Sequence, residues 1–201
     1  MVRARNAVVL TVSLVLATVA IRGQQSETRQ TLIRQIDRIF KTGDFDPPRF
    51  GPARWSPDGA SYAIVERSTA DAGGRSEIVR YDAASGTRTV LVPAARLIPA
   101  GKTTALEIDD YAWSNDGRRL LIFTNTRKVW RLNTRGDYWV LDVDGGQLRK
   151  IGGDAPEASL MFAKFSPDAT RVAYVRANDI YVERLADGAI TPLTTLSLIH
   201  I

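Results

Sequence analysis

A chain of 201 residues with 44% hydrophobic and 24% charged residues has the composition of one globular domain or a little more, which excludes a wholly disordered chain. It contains no cysteine, so disulfides and cysteine-based zinc sites are excluded. The formal charge is +5, but Arg3, Arg5 and Arg22 lie in a first stretch of 23 residues that has no acid; the remainder keeps about +2, too weak and too scattered to argue for nucleic acid.

The chain opens with the basic "MVRARN" and continues with "AVVLTVSLVLATVA", 14 residues without a charge. A bilayer span needs about 20 apolar residues, so this run is too short to cross. Basic start, apolar middle and small residues near Ala20 or Gly23 are the pattern of a secretory signal peptide over residues 1–23. The competing reading is an uncleaved anchor. With cleavage, the mature chain is expected in the periplasm or outside the cell, with no membrane attachment.

Residues 24–52 are read as a helix and a linker. In "SETRQTLIRQIDRIF" the apolar positions Leu32, Ile33, Ile36, Ile39 and Phe40 have helical spacing. "KTGDFDPPRFGP" ends the pattern with two glycines and three prolines.

From residue 53 to 195 one pattern returns three times: "ARWSPDGASYAIVE", "YAWSNDGRRLLIFT" and "AKFSPDATRVAYVR". Each has an aromatic residue, a serine, a polar turn and a strand-like run rich in Val, Ile, Leu and Tyr. Each is followed by a second hairpin pattern: "EIVRYDAASGTRTVLV", "DYWVLDVDGGQLRKIG" and "DIYVERLADGAITPLT". Two hairpins are four antiparallel strands. The markers Trp55, Trp113 and Phe165 are 58 and 52 residues apart, a spacing that fits one β-propeller blade per repeat. The fold class is therefore all-β: an incomplete propeller of about three four-stranded blades. Whole propellers have about 4–8 blades, so a partner or a longer gene is needed to complete the ring, and the unclosed ring predicts poor solubility. The three aromatic markers are expected in the core between blades.

The leader, "LIRQIDRIF", the "WSPDG" turns and above all "KVWRLNTRGDYWVLDVDGGQLRKI" resemble the start of a bacterial dipeptidyl peptidase IV-like enzyme of the prolyl oligopeptidase family, over about residues 28–195. The resemblance implies an N-terminal propeller over an α/β-hydrolase domain, and release of dipeptides with proline or alanine second from a peptide substrate, without cofactor. It admits a homodimeric parent. The hydrolase domain that would carry the serine, aspartate and histidine is missing here, and the chain has no G-x-S-x-G. No catalytic residue and no metal ligand is assigned. The paired glutamates that hold the substrate amino group in that family are also missing; Glu183 stands alone. Trp130-Arg131 matches the family's aromatic-arginine pair, so the resemblance implies that Arg131 hydrogen-bonds a substrate carbonyl, a task suited to a guanidinium. The competing reading pairs Arg131 with an acid between blades. Arg127, Lys128 and Arg135 are read as a solvated strand-end cluster; Asp109-Asp110, just before a strand, and Asp142-x-Asp144, entering a Gly-Gly turn, are paired acids that could suggest calcium, but EF-hand spacing is absent and local backbone bonding is the reading kept.

The tail "LSLIHI", residues 196–201, follows the last predicted strand without a turn signal. Its residues can be encoded by CTG TCT CTT ATA CAC ATC, which resembles a transposase-end sequencing adapter, so a non-native tail is expected; the alternative is a true apolar C-terminus. His200, the one histidine, is given no chemistry. The alternative to a peptidase fragment is a non-catalytic periplasmic propeller scaffold of the TolB type.

Overall fold

The computed structural model describes residues 27–42, 44–46, 50–56, 58–69 and 74–196; the leader, Pro57 and residues 197–201 of the tail lie outside the described residues. Two units are distinct, Met1–Arg49 and Phe50–Ile201. In the first, residues 27–40 form helix α1, and the apolar stripe of Leu32, Ile33, Ile36, Ile39 and Phe40 is exposed. Asp44 closes the turn after it, accepting from Arg38 Nε at 2.7 Å and from the Thr42 hydroxyl at 2.5 Å. Among the described residues no helix is long and apolar enough to cross a membrane.

The second unit has antiparallel sheets, with one 3-10 turn, Ala94–Leu97, after the fourth strand. Its first meander is β1 (Ala53–Trp55), β2 (Ser61–Arg67), β3 (Ser76–Asp82) and β4 (Arg88–Val92). The second is β5 (Asp110–Trp113), β6 (Arg119–Val129), β7 (Leu132–Asp142) and β8 (Leu148–Lys150). The third is β9 (Leu160–Phe165), β10 (Arg171–Arg176), β11 (Asp179–Arg184) and β12 (Ile190–Pro192). Each is one blade, and the strands do not close into a barrel, so the chain is a partial propeller. The second and third blades also join along one edge, where Arg135 and Gly136 of β7 pair with Met161 and Leu160 of β9.

The recurring serine and aspartate have one job in all three blades. Ser56, Ser114 and Ser166 each donate the hydroxyl proton to Asp58, Asp116 and Asp168 respectively. The same serine oxygens accept the amides of Ser61, Arg119 and Arg171, the first residues of the following strands. Each aspartate accepts a further amide, from Ala60, Arg118 and Thr170. These bonds favour the ionised acid and hold all three carboxyls below the usual range, Asp168 at about 2. The turn signal in the sequence is thus a local hydrogen-bond module that starts the second strand of each blade.

Two apolar cores lie between blades. Ile78, Val92, Leu97, Tyr111, Leu120, Ile122 and Leu141 pack the first blade against the second. Leu121, Tyr138, Val140, Ile151, Leu160, Val172 and Tyr174 pack the second against the third. Successive residues of β6 therefore face opposite cores, Leu120 and Ile122 one way and Leu121 the other, as strand alternation requires. Trp113 packs into the first core and Phe165 into the second, each toward the blade before its own. Trp55 departs from the expectation: it is 66% exposed. The reason is positional, because no blade precedes the first one among the described residues. Trp55 instead lies against Tyr62, and Tyr62 stacks on Tyr81, each with ring centroids 5.5 Å apart.

The charges between and within blades are largely spoken for. Arg149 of β8 crosses to the fully buried Glu183 of β11 at 2.7 Å, and the other Glu183 oxygen takes the Gly152 amide at 2.8 Å. Arg88 bridges Glu77 at 2.6 Å and Glu66 at 3.2 Å. The lone glutamate of "YVERL" is therefore a structural inter-blade acid.

Candidate site at the ribbon between β6 and β7

β6 and β7 are the longest strands of the chain, 11 residues each, and they outgrow their blade. The inner half, Arg119–Thr124 against Asp137–Asp142, runs in unbroken register between the two cores. Beyond it the register shifts twice, at Thr124/Arg127 and at Arg127/Lys128, before the ribbon closes at Val129 and Leu132. Such bulges twist and re-aim a ribbon. The outer half is an arm.

Asp137 ties the base of the arm. It is 6% exposed and accepts from Asn125 Nδ2 at 2.8 Å, the Ala158 amide at 3.0 Å and Lys150 Nζ at 3.0 Å. Burial raises its pKa, but the Asn125, Lys150 and Ala158 donors outweigh it and the carboxyl lies below its usual range. Next to it, Gly136 permits a close approach: a Cβ there would lie 2.5 Å from the Phe123 ring and 2.8 Å from the Thr124 carbonyl oxygen. The Phe123 and Tyr138 rings stack at 4.5 Å beside this point.

The tip is the pair Trp130-Arg131, a two-residue loop between Val129 and Leu132. Trp130 has φ 61° while Arg131 does not enter the left-handed region, a combination that fits a type II′ hairpin turn. Glycine usually holds that first position; a tryptophan there costs about 1 kcal/mol of backbone strain. Trp130 is 94% exposed, so packing does not compensate.

The charge pattern of the arm differs from the blades. Arg127, Lys128, Arg131 and Arg135 are all exposed, and none has an ion pair among the described residues. Arg127, Lys128 and Arg135 are exposed; Arg127 and Lys128 lie at the end of β6, whereas Arg135 lies within β7. Among the described residues no inter-blade acid pairs with Arg131. Of the two acidic pairs only one is a turn acid: Asp142 takes the Gly145 amide at 2.6 Å, whereas Asp110 of β5 crosses to Arg54 of β1 in the first blade at 2.5 Å. Ser85 sits in a hairpin turn with its hydroxyl on Asp82 at 2.7 Å. The chemistry available at the arm is therefore recognition: a planar, permanently charged donor at the end of a strained, apolar-tipped ribbon.

The position of this arm coincides with a known region. Residues 114–197 match the family described as the dipeptidyl peptidase IV (DPP IV) N-terminal region. Among curated relatives, the probable dipeptidyl-aminopeptidase B of Aspergillus oryzae is 26% identical over 181 residues, covering 86% of this chain and 19% of the relative. Its counterpart in Neosartorya fischeri is 33% identical over 81 residues, 40% of this chain and 9% of the relative. The crystal structure of Porphyromonas gingivalis dipeptidyl peptidase 4 superimposes with TM-score 0.62 at 27% identity, covering 77% of this chain and 21% of that one. The chain thus spans about a fifth, 19%, of the Aspergillus oryzae relative. By these likenesses the three blades resemble the N-terminal region of a dipeptidyl peptidase IV-like protein.

Proposed function

We propose that the chain is the N-terminal propeller part of an exported dipeptidyl peptidase that removes dipeptides with proline or alanine second from peptide N-termini. In this reading residues 1–23 direct export and are removed. The propeller controls access, and Arg131 donates hydrogen bonds to a backbone carbonyl of the bound peptide. Peptide hydrolysis itself would be carried out by a serine in a domain that these 201 residues do not include. The observation that carries the reading is Trp130-Arg131: an exposed guanidinium, without an ion pair among the described residues, at the tip of a strained arm inside the region matched to the family.

The test is kinetic. The protein is expressed from its own locus with whatever frame follows, and a Gly-Pro chromogenic substrate is assayed. Arg131→Gln is expected to raise KM about tenfold or more, since losing a charged hydrogen bond to substrate costs roughly 1.5–3 kcal/mol. Unchanged KM with unchanged kcat would remove Arg131 from the site. The 201-residue chain alone is expected to show no turnover of the same substrate.

A further inference from the structure

Arg131 accounts for one cation of the arm and leaves three. Residues 125–136 hold Arg127, Lys128, Arg131 and Arg135 and not one acid. Arg127 and Arg135 are cross-strand Cα partners, which puts their side chains on one face of the ribbon. Like charges directly opposite are destabilising, and no carboxylate among the described residues relieves this pair. The same juxtaposition occurs once more, at Arg171 and Arg184, but there Asp187 pairs with Arg184 at 2.8 Å. The inter-blade cavity lined by Arg119, Arg149, Arg171 and Arg184 is as rich in arginine, but three of these guanidiniums are engaged: Arg119 by the Ala169 carbonyl at 2.8 Å, Arg149 by Glu183 at 2.7 Å and Arg184 by Asp187 at 2.8 Å. An anion in that cavity would have to displace existing bonds at three of the four arginines. At the arm it would displace only water.

The arm also offers a backbone. β5 pairs with β6 only from Leu120 to Phe123, so the outer edge of β6 from Thr124 to Val129 has no strand beside it among the described residues. A free edge accepts an extended peptide by main-chain hydrogen bonds, with side chains read by whatever flanks it. Here the flank is cationic, and the exposed Trp130 and Leu132 supply apolar contact at the tip.

We propose that the arm selects peptides carrying acidic side chains, with Arg127 and Arg135 receiving a glutamate or aspartate carboxylate beside the contact made by Arg131. This rests on the peptide-binding reading above and names the kind of peptide that the site favours. An extended peptide fits better than a polyanion such as nucleic acid, because the free strand edge and the apolar tip add nothing for phosphates.

The experiment measures binding by fluorescence anisotropy on the 201-residue chain. Two labelled peptides begin with Gly-Pro and differ only in having glutamate or glutamine afterwards. The glutamate peptide is expected to bind more tightly by roughly fivefold, the scale of an exposed ion pair. That preference should shrink as salt is raised. Arg127→Gln and Arg135→Gln should each reduce it, while Arg171→Gln, which removes the same charge from the third blade, should leave it intact. Equal affinity for the two peptides, no measurable binding of either, or the same loss with Arg171→Gln overturns the proposal. So does competition by a single-stranded oligonucleotide as effective as the glutamate peptide. Arg131→Gln separates the two readings: it should weaken both peptides alike. If it changes neither while the glutamate preference persists, the role of Arg131 fails and the acidic preference stands.

Discussion

The inner and outer halves of the β6–β7 ribbon share two strands and almost nothing else. The inner half is buried on both faces, with Leu120, Ile122 and Leu141 in one core and Leu121, Tyr138 and Val140 in the other. The outer half exposes Trp130 and Leu132 and carries four cations without ion pairs among the described residues. Strand pairing is common to both, so pairing does not separate architecture from recognition. Burial and charge balance do. Where the chain needs stability it alternates apolar side chains into two cores and neutralises each buried acid. In the outer half it leaves charges unbalanced and holds a tryptophan at φ 61°.

The comparison can be broken or sharpened by substitution. The largest effect is expected in the inner half: Leu141→Ala, at a fully buried side chain, should cost about 4 kcal/mol in urea unfolding, the range of buried leucine truncations. Asp137→Ala should cost about 2 kcal/mol, because it leaves the buried Ala158 amide without its acceptor and removes the bonds from Asn125 and Lys150 at the joint. The same residue gives a pH test. Its folded pKa is lowered, so the stabilisation it provides is present above the ordinary carboxylate pKa and is lost as pH falls through the folded value. The urea midpoint of wild type should fall on acidification more steeply than that of Asp137→Asn. Gly136→Ala should cost about 2 kcal/mol by crowding the Phe123 ring and the Thr124 carbonyl. The smallest effect has the opposite sign. Trp130→Gly should leave the fold intact or stabilise it by about 1 kcal/mol, by relieving the left-handed backbone. A large loss of stability from Trp130→Gly would mean that the arm is architecture after all.

What the sequence disclosed follows the range of the interactions involved. The three blades were legible because serine, aspartate and the turn act within six residues, Ser56 to Ser61 in the first case. The exposure of Trp55 was not, because its environment depends on a preceding blade and not on its own motif. Glu183 looked isolated because its partner Arg149 is 34 positions away in the chain, and only the strand register brings them together. The arm was the hardest to see. Its turn has no glycine or asparagine, and Trp130-Arg131 reads as the middle of a strand-like run. One signal was available: a stretch far longer than a normal strand, with cations and no acid between two apolar halves. The Arg131 assignment came from family resemblance, and its place at an exposed tip emerges only from the paired register of Val129 and Leu132.

The most direct measurement is to sequence the locus downstream of the Thr195 codon. The account predicts that the frame continues with different residues in place of "LSLIHI", through a segment with paired glutamates, into a G-x-S-x-G motif and later an aspartate and a histidine. A stop codon soon after Ile201 would contradict it and leave the chain as a short propeller that binds but does not cut.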